Sequence, residues 1–157
     1  MGSGKIMRLS LLSIFLFPLS FLANFSGECV GVSDGDTIKV MRGGTAVKVR
    51  LLGIDCPEKK QDFGSKAKQA TSDMVFGKTV DVKEAGQDKY GRTLGTVFAE
   101  GKNVNLELVK AGLAWHYKQY SKDEALSKAE AEARAAKIGL WSMPAVPPWE
   151  WRKQGKR

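Results

Sequence analysis

The chain has 157 residues, and its 25 Lys and Arg outnumber 17 Asp and Glu for a net charge of +8. That excess suggests a polyanionic partner, with plain solubility as the alternative. Two cysteines, Cys29 and Cys56, and a single histidine, His116, exclude a structural zinc site.

Lys5 and Arg8 precede an apolar run from Leu9 to Ala23, interrupted by Ser10, Ser13, Pro18 and Ser20. A basic stretch ahead of an apolar one reads as a secretory signal over residues 1–27, removed on export. The run is short for a membrane span of about 20 residues and contains a proline, so a retained anchor is the weaker alternative. Without the segment, 23 basic residues face 17 acidic ones, a net charge of +6. About 130 residues remain, enough for one domain with its own core.

Glu28 to Ser33 is expected as a short strand. Thr37–Met41 and Ala46–Leu51 alternate apolar and polar residues, and Arg42-Gly43-Gly44-Thr45 between them is a hairpin signal. After a polar link at Lys59–Phe63, Ser65 is predicted to cap a helix from about Lys66 to Phe76, with Ala67, Ala70, Met74 and Val75 on one stripe. Lys78–Lys83 and Thr93–Ala99 read as further strands around a turn. A short helix is expected near Val104–Ala111, stopped by Gly112. Ser121 and Glu124 offer a capping box for a helix to about Lys137, with Ala125, Leu126, Ala129, Ala133 and Ala136 inward. In the tail, residues 143–157, Pro144, Pro147 and Pro148 are expected to block regular structure. Trp149 and Trp151 then either clamp the tail onto the domain, the favoured reading, or stack with Arg152 on nucleic acid.

The chemistry concentrates between Asp34 and Glu58. A hairpin folds the chain back, returning Asp55 and Glu58 toward Asp36, where oxygens could hold a hard cation. The plainer alternative is that Asp34-Gly35-Asp36 is a common turn. Cys56 lies in this stretch; pairing with Cys29 would require Cα atoms within about 7 Å. Cys29 sits at the far end of the first strand, so the two thiols are expected to stay apart.

Three blocks resemble the signature of the staphylococcal nuclease (thermonuclease) family: Asp34-Gly35-Asp36-Thr37, Arg50-Leu51-Leu52-Gly53-Ile54-Asp55-Cys56-Pro57-Glu58 and Asp88-Lys89-Tyr90-Gly91-Arg92. The run from Asn103-Val104-Asn105 to Gly112-Leu113-Ala114, and Leu140-Trp141-Ser142, also fit, so the resemblance covers residues 28–142. It implies a mainly β, α+β fold: a five-stranded OB-fold-like Greek-key barrel with about three helices and an open face for oligonucleotides. It further implies a secreted or periplasmic monomer that is a Ca²⁺-dependent phosphodiesterase. Such an enzyme would cut DNA and RNA, preferably single-stranded, with little sequence preference, and leave 3′-phosphate ends.

By the same resemblance, Ca²⁺ would be held by the carboxylates of Asp36 and Asp55 and the backbone carbonyl of Cys56, where the family often has Thr. Glu58 matches the candidate general base, which either deprotonates or only orients a water. Arg50 and Arg92 match the pair that grips the scissile phosphate, since a planar guanidinium fits two oxygens at once. Lys89 and Tyr90 match residues on the neighbouring phosphate. Tyr117, with Tyr120 second, would stack on a base; the loop after Leu113 and the Lys59–Phe63 link are both shorter than the family pattern. Without the resemblance, Arg50 is an outward strand residue, Arg92 a turn charge and Glu58 a surface carboxylate. The alternative function is a non-catalytic OB-type module binding nucleic acid or protein. Loss of catalysis would show as a missing member of the set Asp36, Arg50, Asp55, Glu58 and Arg92, and all five are present.

Overall fold

The computed structural model describes residues 24–155, so the expected signal segment up to residue 23 lies outside the described residues. Among the described residues, no helix is long and apolar enough to cross a membrane.

The alternating pattern forms a closed barrel. Strand β1 (Phe25–Asp34) pairs antiparallel with β2 (Thr37–Arg42), and β2 with β3 (Thr45–Leu51). The predicted two-residue hairpin connects β2 and β3: Gly43 and Gly44 have φ of 55° and 83°, left-handed values that suit glycine and match the twist of the strands. Strand β1 is longer than expected. Its first residues, Phe25 to Glu28, pair with Val82 to Thr79, so ordered structure begins inside the segment assigned to the signal.

A turn at Leu52-Gly53, with Gly53 at φ 77°, and a two-residue strand, β4 (Ile54–Asp55), follow β3. Helix α1 (Gly64–Val75) then leads to β5 (Thr79–Gln87), β6 (Thr93–Ala99) and the short β7 (Lys102–Asn103). The sheet runs β3-β2-β1-β5-β6-β7, and β3 also pairs parallel with β6, which closes five strands into the barrel. Ile38, Val40, Val49, Leu51, Val80, Val82 and Val97 fill it, with helix residues such as Ala67, Val75, Leu108 and Leu126 packed on the same core.

Helix α2 (Val104–Lys110) is capped by Asn103, whose side chain accepts from the Leu106 N–H. Strand β8 (Trp115–His116) pairs with β4. Helix α3 (Glu124–Ala135) precedes a 3₁₀ turn at Gly139–Ser142 and a last helix, α4 (Pro148–Gln154).

Four local expectations are corrected. Ser65 does not cap α1: the helix starts at Gly64, with Phe63 in a left-handed conformation at φ 64° and no side-chain cap. A Cβ at Gly64 would collide with the carbonyl oxygen of Glu58, so the helix start is packed directly against that loop. Ser121 does not cap α3 either; Asp123 accepts from the Ala125 and Leu126 N–H groups, while Ser121 Oγ accepts from the Asp123 N–H. Two inward residues predicted on α3, Ala125 and Ala136, are exposed, and Glu130 takes a buried place on that face. Finally, the prolines of the tail do not prevent a helix. Pro148 occupies the first turn of α4, where a missing N–H costs nothing, so the described residues hold four α-helices, α4 being the one not expected.

Candidate active site

The hairpin turn between β1 and β2 and the short strand β4 bring Asp36, Arg50 and Asp55 together. Asp36 is 6% exposed and Asp55 1%. Arg50 Nη2 stands 3.3 Å from Asp36 Oδ2 and 3.1 Å from Asp55 Oδ1, while its Nη1 donates to the carbonyls of Leu51 (3.1 Å) and Ile54 (2.9 Å). One guanidinium thus reads both carboxylates and is itself held by backbone. Asp36 Oδ2 also accepts the Cys56 N–H at 2.6 Å, which ties the two acidic loops together. Burial pushes Asp36 up to about 7; Asp34 adds to the rise, and Arg50 and the Cys56 N–H pull against it. Burial opposes the charge of Arg50, yet Asp36 and Asp55 outweigh it and raise its pKa.

Asp55 is placed by a pairing without a clear sequence signal: it lies opposite Trp115 in the β4–β8 ladder. The approach to Asp55 is set by Asn105, a buried side chain whose Nδ2 donates to Leu52 O (2.9 Å) and Gly95 O (3.2 Å) and whose Oδ1 accepts the Val97 N–H (3.0 Å). Cys29 and Cys56 are both buried free thiols, as expected, and burial raises the pKa of each. Among the described residues, no three His, Cys, Asp or Glu side chains converge as a metal cluster. The oxygen donors here are two carboxylates and backbone carbonyls.

Glu58 sits on the loop between β4 and α1 with its side chain 41% exposed. Its N–H donates to Gln61 Oε1 at 3.1 Å. Its carboxylate is met by a residue for which the sequence offered only a tail assignment: Arg152 Nη1 lies 2.7 Å from Glu58 Oε1 and 3.3 Å from Asp55 Oδ1, and Nη2 lies 2.9 Å from Asp55 Oδ2. Burial works against the Arg152 charge, but its bonds to Asp55 and Glu58 raise its pKa.

Arg92, Lys89 and Tyr90 form a separate group on the β5–β6 turn. Asp88 organises it, accepting from the N–H groups of Tyr90 (2.8 Å) and Arg92 (3.0 Å) and pairing with Arg92 Nε at 2.6 Å. Lys89 Nζ and Arg92 Cζ lie 5.1 Å and 5.4 Å from the ring centre of the exposed Tyr90. No bond joins this turn to Asp55 or Glu58 among the described residues. The parallel β3–β6 register places Thr93 opposite Val49 and Leu94 opposite Arg50, so Arg92 stands just ahead of the paired segment, two residues before the partner of Arg50. Tyr117 is fixed by its N–H to Gly53 O (2.8 Å); one ring face is stacked by Trp149 at 5.2 Å and 5°, and Tyr120 meets it edge-on at 4.9 Å. Trp149 does clamp the tail, whereas Trp151 keeps 36% of its surface exposed.

The family model described as "Staphylococcal nuclease homologue" matches residues 48–143. A protein of Escherichia coli O157:H7 named "Uncharacterized endonuclease" is 49% identical over 143 residues, covering 90% of this chain and 93% of its own length. A Haemophilus influenzae protein of the same name is 45% identical over 99% of this chain and 89% of its own. A Shigella flexneri protein named "Micrococcal nuclease" is 43% identical over 85% of this chain and 84% of its own.

Proposed function

The chain belongs to the family of staphylococcal nuclease homologues and is a nuclease, and on that footing we propose that it is a Ca²⁺-dependent phosphodiesterase. It cleaves DNA and RNA, preferably single-stranded, with little sequence preference, and leaves 3′-phosphate ends. The observation that carries this reading is the convergence of Asp36 and Asp55 on one nitrogen of Arg50, beside Glu58. Two buried carboxylates that close on one cation can close on another, and hard oxygen donors suit Ca²⁺, which accepts mixed sets of about 6–8 ligands. Asp36, Asp55 and the Cys56 carbonyl would hold it. Bound there, the ion supplies charge stabilisation to phosphoryl oxygens.

The side chains divide the remaining work. Arg50 enters the reaction already oriented by the Leu51 and Ile54 carbonyls, and Arg92 by Asp88, so neither fork must be organised when charge builds on the phosphate. Glu58 is exposed enough for water to reach it and accepts a proton from, or orients, the attacking water. Lys89 and Tyr90 take the neighbouring phosphate, and Tyr117, ahead of Tyr120, takes a base. Lys5, Arg8 and the apolar run to Ala23 support export to the periplasm or medium.

The test is cleavage of labelled single-stranded DNA and RNA by the purified chain, in Ca²⁺ or in excess EGTA. The expected result is cleavage in Ca²⁺ alone, with ends that a phosphatase can dephosphorylate. Cleavage in EGTA overturns the metal requirement. Salt-sensitive binding without cleavage at any Ca²⁺ concentration favours the non-catalytic module.

A further inference from the structure

Glu58 presents a problem of orientation. A candidate base must hold its carboxylate within hydrogen-bond reach of one water, yet Glu58 stands on an irregular loop with a half-exposed side chain. Its backbone is held by Gln61, but its carboxylate has a single partner among the described residues, Arg152, which lies 94 positions later in the sequence. The same guanidinium makes two further bonds to Asp55, which is 1% exposed and anchored in the β4–β8 ladder. We infer that Arg152 is a positioning residue for the nuclease reaction: it fastens the half-exposed carboxylate of Glu58 to the buried carboxylate of Asp55. This rests on the reading of Glu58 as the base.

The tail is built to deliver that guanidinium. Trp149 and Arg152 are three residues apart, so they project from the same face of α4. Trp149 stacks flat on Tyr117 and meets Trp115, the ladder partner of Asp55, edge-on at 5.6 Å. Gln61, the residue that binds the Glu58 N–H, donates its Nε2 to Val146 O at 2.5 Å. The Glu58 loop and the tail are therefore joined at two points, Gln61 to Val146 and Glu58 to Arg152. Planarity matters here. One fork can span two carboxylates, whereas an ammonium offers a point charge without that geometry. Charge points the same way: Arg50 meets Asp36 and Asp55, and Arg152 supplies a second compensating cation that meets Asp55 and Glu58.

The experiment uses the full chain. Arg152→Ala should lower kcat about tenfold, a part of the 10²–10⁴ that a positioned base contributes, while changing KM much less; Arg152→Lys should recover part of the loss. In a Glu58→Gln background, Arg152→Ala should change kcat by no more than about twofold, because the group it positions is already disabled. Hydrogen exchange on the metal-free, substrate-free protein gives a readout independent of catalysis. The Glu58 and Gln61 amides should exchange faster in Arg152→Ala, with Val97 in the barrel unchanged. Equal losses in the wild-type and Glu58→Gln backgrounds overturn the inference. So does faster turnover with tighter Ca²⁺ binding in Arg152→Ala, which would make Arg152 a competitor of the metal. Unaltered exchange at Glu58 and Gln61 overturns it whatever the activity. If the wild-type chain fails to cleave nucleic acid in Ca²⁺, the nuclease reading falls, and the exchange measurement still decides whether Arg152 holds the loop.

Discussion

The Cys56 N–H donates to Asp36 Oδ2 at 2.6 Å, joining two acidic loops 20 residues apart in sequence. Asp36 is therefore both an acceptor that fastens the Cys56 loop and a candidate ligand, and two substitutions separate those roles. Asp36→Ala leaves the buried Cys56 N–H without its acceptor, at a cost of about 1–3 kcal/mol in urea denaturation, and should abolish cleavage at moderate Ca²⁺. Asp36→Asn keeps an acceptor oxygen but no charge. It should restore most of the stability and none of the Ca²⁺-dependent activity.

Arg92 tests geometry against charge. It is oriented by Asp88 through its Nε at 2.6 Å, which leaves the two terminal nitrogens for a ligand. Arg92→Lys keeps the charge and loses the fork. Removing one preorganised donor costs on the order of 10²–10³ in rate, so kcat should fall by that factor with Ca²⁺ affinity and melting temperature nearly unchanged. Near-normal turnover would reduce Arg92 to a steering charge.

Asn105→Leu removes a buried amide of similar size. Gly95 O keeps its bond from the Leu52 N–H, but Leu52 O and the Val97 N–H lose their side-chain partner. The expected cost is roughly 2–3 kcal/mol by chemical denaturation. Activity should fall as well, because Leu52 leads directly into the segment that carries Asp55.

His116 sets a pH dependence. Burial, with Lys118 acting in the same sense, lowers its pKa below 6.5 against the opposing pull of Glu130. The folded state therefore binds a proton less readily than the unfolded chain. Its contribution to stability is complete above pH 6.5 and is lost as pH falls through the depressed folded value. His116→Gln should flatten the urea midpoint between pH 7.5 and 5 relative to wild type, with a slope difference of up to about 1.4 kcal/mol per pH unit. Parallel curves for the two proteins would rule this out.

Much of the barrel was legible because its signals are local: alternation over six or seven residues, two adjacent glycines in a hairpin, and charged blocks at strand ends. What escaped detection depends on contacts across the chain. Two-residue strands such as β4 and β8 are too short to show a period, yet their pairing places Asp55. The helix caps were misassigned because Ser121 and Asp123 both carry acceptors and only tertiary packing chose between them. Glu130 breaks the apolar stripe of α3 because its carboxylate is satisfied there, by the His116 N–H at 3.2 Å and by Arg134 and Lys118 at 3.4 Å each. The prolines near residue 147 hid a helix, since Pro148 stands at the one turn where proline is harmless. In the sequence Arg152 reads only as a neighbour of the tail tryptophans; the docking of Trp149 reveals that it reaches Asp55 and Glu58.

The parallel pairing of β3 with β6 bears on when the protein becomes active. Arg50 lies opposite Leu94 in that pairing, which joins positions more than forty residues apart. Such contacts form late, because the entropy of closing a long loop is lost before the pairing repays it. Nothing local can bring Arg50 alongside the strand that follows Arg92 before the barrel shuts. In refolding from urea, nucleolytic activity should therefore return in the slowest phase of sheet formation and never ahead of it, so that partly folded chains present a basic surface without cutting power.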